Sequence, residues 1–214
     1  MTAESPFVIT ISRQLGSGGA YLGQRLAEQL GIVYLDREIV SQAAKQLKVL
    51  EEDLEFRDEK KASFWESVFQ FGTYSSTNTY MPPEIYIPSD REFFQAESEI
   101  IQKVAGERSA VIIGRGGSWV LRKHPRHVSI FLHADSAFRQ QRVEEIYDVP
   151  AQKAEELIAK SDLERARYFH TLTGREWADA RQYHLAVDTS VVGLAETETL
   201  ILAWIKNHFG EMGK

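Results

Sequence analysis

Apolar residues in this chain alternate between short β-branched runs and longer stretches of helical spacing. Phe7–Ile11, Ile32–Leu35, Ser109–Ile113, Val128–Leu132 and Leu185–Val187 are brief enough and apolar enough to read as buried strands. Between them the spacing turns to three and four. Leu22, Leu26, Ala27 and Leu30 share one face, as do Ile39, Val40, Ala43, Ala44 and Leu47 within Arg37–Leu50. Phe93, Ile100, Ile101 and Val104 point inward from a predicted helix over Glu92–Ala105. Further helices are predicted over Ala137–Glu145, Pro150–Lys160 and Leu194–His208, the second with its proline placed for a first turn. Strands joined by helices predict an α/β fold with a parallel sheet, whose ligands sit at the carboxyl ends of the strands.

One region breaks the alternation. Glu51–Lys61 is charge-dense and reads as a solvated helix. Phe64–Phe71 then crowds Phe64, Trp65, Val68, Phe69 and Phe71 together, a face that must dock on the main body or on a second copy of the chain, so a homodimer is one expectation. Gly72–Asp90, with Pro82, Pro83 and Pro88, reads as a long irregular loop of the kind that forms lids and binding segments.

Bulk composition narrows the classes. A chain of 214 residues, 43% hydrophobic, fills one core, so residues 1–214 are expected to form one domain with an insertion. No run approaches the roughly 20 apolar residues that span a bilayer, and MTAESPF lacks a signal-peptide layout. The absence of cysteine excludes disulfides, thiolate metal sites and a cysteine nucleophile, and a cytoplasmic location is the default expectation. A net charge of −6 without a basic tract argues against a nucleic-acid groove. The six histidines show no metal-ligand spacing.

The candidate chemistry lies where strands are predicted to end. Gly16-Ser17-Gly18-Gly19 follows the first strand, and Gly23 brings the count to four glycines within eight residues. Such a turn lets backbone N–H groups converge at a helix start, an anion site suited to a di- or triphosphate. Asp36-Arg37 ends the second strand, Gly114-Arg115-Gly116-Gly117 the third, and Asp188-Thr189 the last. Convergence of these clusters on one sheet edge argues for a single shared site. Each also has a plainer reading. Asp36 suits a helix cap. Arg115 is either an exposed turn residue or a guanidinium given room to grip phosphate bidentately. Asp162, Arg165 and Arg167 are either a solvated helical face with i,i+3 pairing or part of the site. Trp119, Trp177, Tyr168 and Tyr183 read as packing residues.

Taken in order, ISRQLGSGG, LGIVYLDREIV, VIIGRGG and SDLERARYFHTLTGREWADARQYHLAVDTS resemble the cytidylate kinase-like family of P-loop kinases, over roughly Val8 to His208. The resemblance implies a three-layer α/β/α P-loop kinase fold around a core parallel sheet. It further implies a monophosphate-side insertion over about 51–91 and an arginine-bearing lid over about 148–183. The implied activity is transfer of the γ-phosphoryl group of ATP, with Mg2+, to a monophosphate such as CMP or dCMP. Gly16, Ser17, Gly18, Gly19, Ala20 and Tyr21 would hold the ATP phosphates; Asp36, Arg37, Arg115, Gly116 and Asp188 would hold the acceptor.

The loop departs from G-x-x-x-x-G-K-[ST] in an instructive way. Gly18 takes the second glycine, but Arg13 stands at the first, Gly19 at the lysine and Ala20-Tyr21 at the hydroxyl. The missing charge must come from elsewhere: Arg13 folding back, Arg139 and Arg142 after a core strand, or Arg165 and Arg167 at the lid positions. Ile113 stands where relatives often carry Asp, which leaves Ser12 and Ser17 as candidate magnesium hydroxyls. Three readings remain open: a small-molecule kinase, a nucleotide sensor without transfer activity, and a dinucleotide oxidoreductase. The last draws on Asp36, 20 residues after Gly16, but has Tyr21 where its fingerprint needs glycine.

Overall fold

The computed structural model describes residues 5–36, 39–44, 65–69 and 91–210, with backbone alone at 91–93. Arg37, Glu51–Lys61, Gly72–Asp90, Phe64, Phe71 and the end of the predicted Arg37–Leu50 helix lie outside them. In chain order the elements are β1 (Val8–Arg13), α1 (Gly19–Leu30), β2 (Val33–Leu35), α2 (39–44), α3 (65–69) and α4 (Arg91–Glu107). They continue with β3 (Ala110–Ile113), α5 (Gly117–Val120), β4 (His127–His133), α6 (Ser136–Tyr147) and α7 (Ala151–Thr173). A 3-10 turn (Ala180–Gln182), β5 (Leu185–Asp188), α8 (Thr189–Val192) and α9 (Leu194–Phe209) are the last elements among the described residues.

The five strands form one parallel sheet in the order β2-β3-β1-β4-β5. β1 is central and wholly buried, which explains its unbroken apolar and β-branched run. Its side chains alternate between two cores. Ile9 and Ile11 join Ile113, Val111, Ile130 and Leu132 beneath α1 and α9. Val8 faces the other side with Ala110 and Ile112, covered by α2, α3 and α4. Trp65, Val68 and Phe69 dock on this second core, so the apolar stripe at 65–69 is used by the body of the protein itself.

The chain after α7 returns across the same face of the sheet. Phe169, Trp177 and Tyr183 pack on Phe131 of β4, with Tyr183 stacked on Phe131 at 5.0 Å and Trp177 edge-on at 5.5 Å. The Tyr183 hydroxyl donates to the Trp177 carbonyl at 2.7 Å, and burial pushes its pKa up to about 12. The end of the segment expected as a lid over about 148–183 thus packs on β4 through Phe169, Trp177 and Tyr183. The α7 helix also runs further than expected, from Ala151 to Thr173, a rod of roughly 35 Å.

Candidate active site

The loop between β1 and α1 is built by glycine. Gly16 and Gly18 have φ of 85° and 83°, the left-handed region that glycine enters without strain. A Cβ at Gly16 would lie 2.6 Å from the Arg139 carbonyl oxygen, so that position also needs the space. Ser17 is buried and turned inward, its hydroxyl donating to the Gln14 carbonyl at 2.9 Å. Thr189, fully buried at the start of α8, holds the loop from beneath by donating to the Ser17 carbonyl at 2.9 Å and the His133 carbonyl at 3.1 Å. Gly19, Ala20 and Tyr21 form the first turn of α1, whose N–H groups open upward.

A cavity of about 210 Å³ lies over this loop, lined by Gly16, Gly18, Gly19, Ala20 and Tyr21 together with Arg13, Arg142 and Arg165. Three arginines thus line the cavity over the glycine loop. Arg13 comes from the end of β1, Arg142 from α6 and Arg165 from α7. Of the three, Arg165 is held by Asp162. One carboxylate oxygen accepts from the Leu15 backbone N–H at 2.9 Å and from Arg165 at 3.2 Å; the other pairs with Arg139, whose Nε donates to the Leu15 carbonyl at 2.8 Å. One side chain thus ties α7, α6 and the loop together. Asp162 was visible in the sequence only as half of an i,i+3 pair; its loop contact joins residues 147 apart.

The β2 and β3 ends form a second cluster. Asp36 caps α2, accepting from the Ile39 N–H at 3.0 Å. Arg115 sits at φ 52°, uncommon for a residue with a side chain, between Gly114 and Gly116. Its guanidinium is almost wholly buried, ion-paired with fully buried Glu97 and stacked 4.5 Å above the Tyr168 ring. Its Nε is buried without a hydrogen-bond partner. Glu97 also accepts from Ser41 at 2.9 Å and from the Tyr168 hydroxyl at 3.2 Å. Nothing in the sequence singled out Glu97, which occupies one position of an ordinary amphipathic helix.

Two expected residues stand apart. Asp188 caps α8 by accepting from the Ser190 N–H at 3.0 Å, and the Ser190 hydroxyl holds its carboxyl below the usual range. It faces His133 at 3.6 Å, on the β4–β5 side. Strand order puts β1 and β4 between β3 and β5, so Asp188 lies roughly 14 Å across the sheet from the Arg115 strand. The four strand-end clusters share an edge but fall into two groups, with Asp188 beside the glycine loop instead of beside Asp36 and Arg115. Arg167 is exposed and does not line the cavity, although Arg165 on the same helix does.

The donors at the loop suit a polyphosphate anion: a glycine turn with no room for a Cβ at Gly16, a helix start and three arginines. Mg2+ finds less. Asp162 is committed to Leu15, Arg139 and Arg165, and the Ser17 hydroxyl to Gln14. Among the described residues no group of three or more His, Asp or Glu side chains is placed to hold a metal ion. No described helix is long and apolar enough to cross a membrane.

Comparison with known proteins agrees with this architecture. The pattern of the Cytidylate kinase-like family matches residues 8–191. A cytidylate kinase of Shouchella clausii (strain KSM-K16) is 27% identical, over 94% of this chain and 97% of its own length. Among solved structures, an uncharacterized protein from Eubacterium ventriosum ATCC 27560 superposes with a TM-score of 0.70 at 22% identity, covering 94% of this chain and 98% of that one. A gluconokinase from Sinorhizobium meliloti 1021 superposes with a TM-score of 0.50 at 13% identity, covering 99% of this chain and all of the other. At these identities the structural likenesses speak for the fold, which is that of the P-loop kinases.

Proposed function

The chain belongs to the cytidylate kinase-like family, and from that premise we propose that it transfers the γ-phosphoryl group of ATP to a nucleoside monophosphate, with CMP and dCMP the first acceptors to test. The observation that carries this reading is the convergence of three arginines on the cavity over a glycine loop. A phosphate oxygen of the acceptor attacks the γ-phosphorus, the bond to the bridging β–γ oxygen breaks, and ADP leaves with that electron pair. The protein's part in such a step is alignment and neutralisation of charge on the equatorial oxygens. Loop N–H groups and the α1 start receive the β-phosphate region. Arg142 and Arg165 approach from α6 and α7, and Asp162 holds Arg165 in that position.

On the acceptor side the anion belongs at Arg115. Its Nε is a buried donor with an unmet bond, which an acceptor oxygen would reach only once the packing around it opens. Asp36 ends the neighbouring strand as the cap of α2, and Gly116 leaves room beside Phe94 and Tyr168. Mg2+, if bound with the nucleotide, would supply further charge neutralisation, and no group of three or more acidic or histidine side chains among the described residues is placed to hold it.

A second reading has one observation behind it. Gly19 and Ala20 replace the lysine and hydroxyl of a standard loop, which favours a protein that binds ATP without transferring phosphate. ADP release from Mg-ATP across CMP, dCMP, UMP, AMP and GMP, with an acceptor-free control, separates the two. Acceptor-dependent release supports the kinase. ATP binding with no release across the panel supports the sensor or a kinase of a different small acceptor.

A further inference from the structure

The two departures of this loop from G-x-x-x-x-G-K are in contact with each other. The motif's first glycine is Arg13 and its lysine is Gly19, so glycine and cation have changed places. A Cβ at Gly19 would stand 2.6 Å from Arg13 Cγ and 2.7 Å from Arg13 Cβ, distances no real side chain tolerates. The stem of Arg13 therefore fills the space through which a lysine at 19 would rise. Gly114 at the end of β3 makes a second allowance, since a Cβ there would collide with Arg13 Nη1. Arg13 is nine-tenths buried yet lines the cavity over the loop. Its guanidinium lies beside Gly114, one residue before Arg115, and hence between the glycine loop and the second cluster.

We infer that the loop's cation has been transposed: Arg13 does the phosphate-binding work of the P-loop lysine, and Gly19 and Gly114 are small to let it. This rests on the ATP-dependent reading above and extends it to a residue pair. A guanidinium at this point presents planar, paired donors where an ammonium is a compact point charge, so it can bridge donor and acceptor oxygens during transfer.

A reciprocal exchange tests it. ATP affinity is measured by calorimetric titration without acceptor for the wild type, Arg13→Gly, Gly19→Lys and the double variant, with melting temperature recorded for each. Arg13→Gly is expected to weaken ATP binding at least tenfold through lost charge. Gly19→Lys is expected to weaken it at least tenfold and to lower the melting temperature, because the new stem meets Arg13. The double variant restores the G-x-x-x-x-G-K order, and its affinity returns to within about threefold of the wild type. Wild-type affinity in Arg13→Gly overturns the inference, as does a double variant whose loss is the product of the two single losses. Should Gly19→Lys not fold, Gly19→Ala tests the steric half: it must lower affinity or melting temperature alone and do neither beside Arg13→Gly. Since no acceptor is present, these titrations stand apart from turnover. A wild type that binds ATP but releases no ADP with any acceptor removes the kinase reading alone; one that binds no ATP removes both.

Discussion

Replacing Asp162 with alanine tests how the loop and the arginines are held together. The substitution removes the acceptor of the Leu15 N–H and the anionic partner of both Arg139 and Arg165. Arg139 is 9% exposed at the side chain and Asp162 19%, so their pair is mostly shielded from water. Breaking a buried pair by deleting one partner costs about 3–5 kcal/mol, because the other charge is left behind. Partial access of water to Asp162 brings the expectation down to about 2–3 kcal/mol. For a chain of this size that is a fall in melting temperature of about 4–12 °C. Affinity for ATP should fall as well, by about tenfold, as Arg165 loses its anchor and α7 its seat on the loop. Asp162→Asn keeps an oxygen for Leu15 but no charge, and should lie between the two. Differential scanning calorimetry and ATP titration on the three proteins decide the matter. An alanine variant within about 0.5 kcal/mol of the wild type, with unchanged ATP affinity, refutes the reasoning.

Three other outcomes are expected. Arg115→Ala should raise the acceptor's KM or lower turnover at least tenfold, about 1.4 kcal/mol, and leave the KM for ATP within about twofold in steady-state assays. Thr189→Val keeps the shape but leaves the buried Ser17 carbonyl and the half-buried His133 carbonyl short of a donor; about 1–3 kcal/mol should be lost in denaturant titration, with weaker ATP binding. His127 is buried against Thr10, and that burial lowers its pKa to about 4 from the ordinary 6.5. Between those values the unfolded chain binds the extra proton, so stability is full above about pH 6.5 and falls as pH drops towards about 4, by about 3 kcal/mol in all. His127→Gln should flatten that part of the stability–pH curve, and an unchanged slope counts against the assignment.

Much of the scaffold was legible in the sequence because buried parallel strands leave dense apolar runs. All five predicted strands exist, within one or two residues at their ends. The glycine loop was legible for the same local reason, four glycines directly after a strand. What the sequence left open depends on strand order and on distant partners. The resemblance places Asp188 with the acceptor residues, and nothing local in the sequence says that β5 is three places from β3. Glu97 went unseen because its partners Ser41, Arg115 and Tyr168 lie 56, 18 and 71 residues away. Gly19 could be read only as a missing lysine until the Arg13 stem was found in its place. Arg165 and Arg167, two residues apart on α7, were equal candidates in one dimension; helical geometry turns one towards the cavity and leaves the other in solvent.

The central claim is transfer of a phosphoryl group across the space between the glycine loop and Arg115. Incubation of the purified protein with γ-labelled ATP, Mg2+ and CMP or dCMP, followed by separation of the nucleotides, tests it most directly. The account predicts label in the corresponding nucleoside diphosphate, formed in step with ADP and lost in Arg115→Ala. Label that stays in ATP across the monophosphate panel, while ATP is bound, contradicts it.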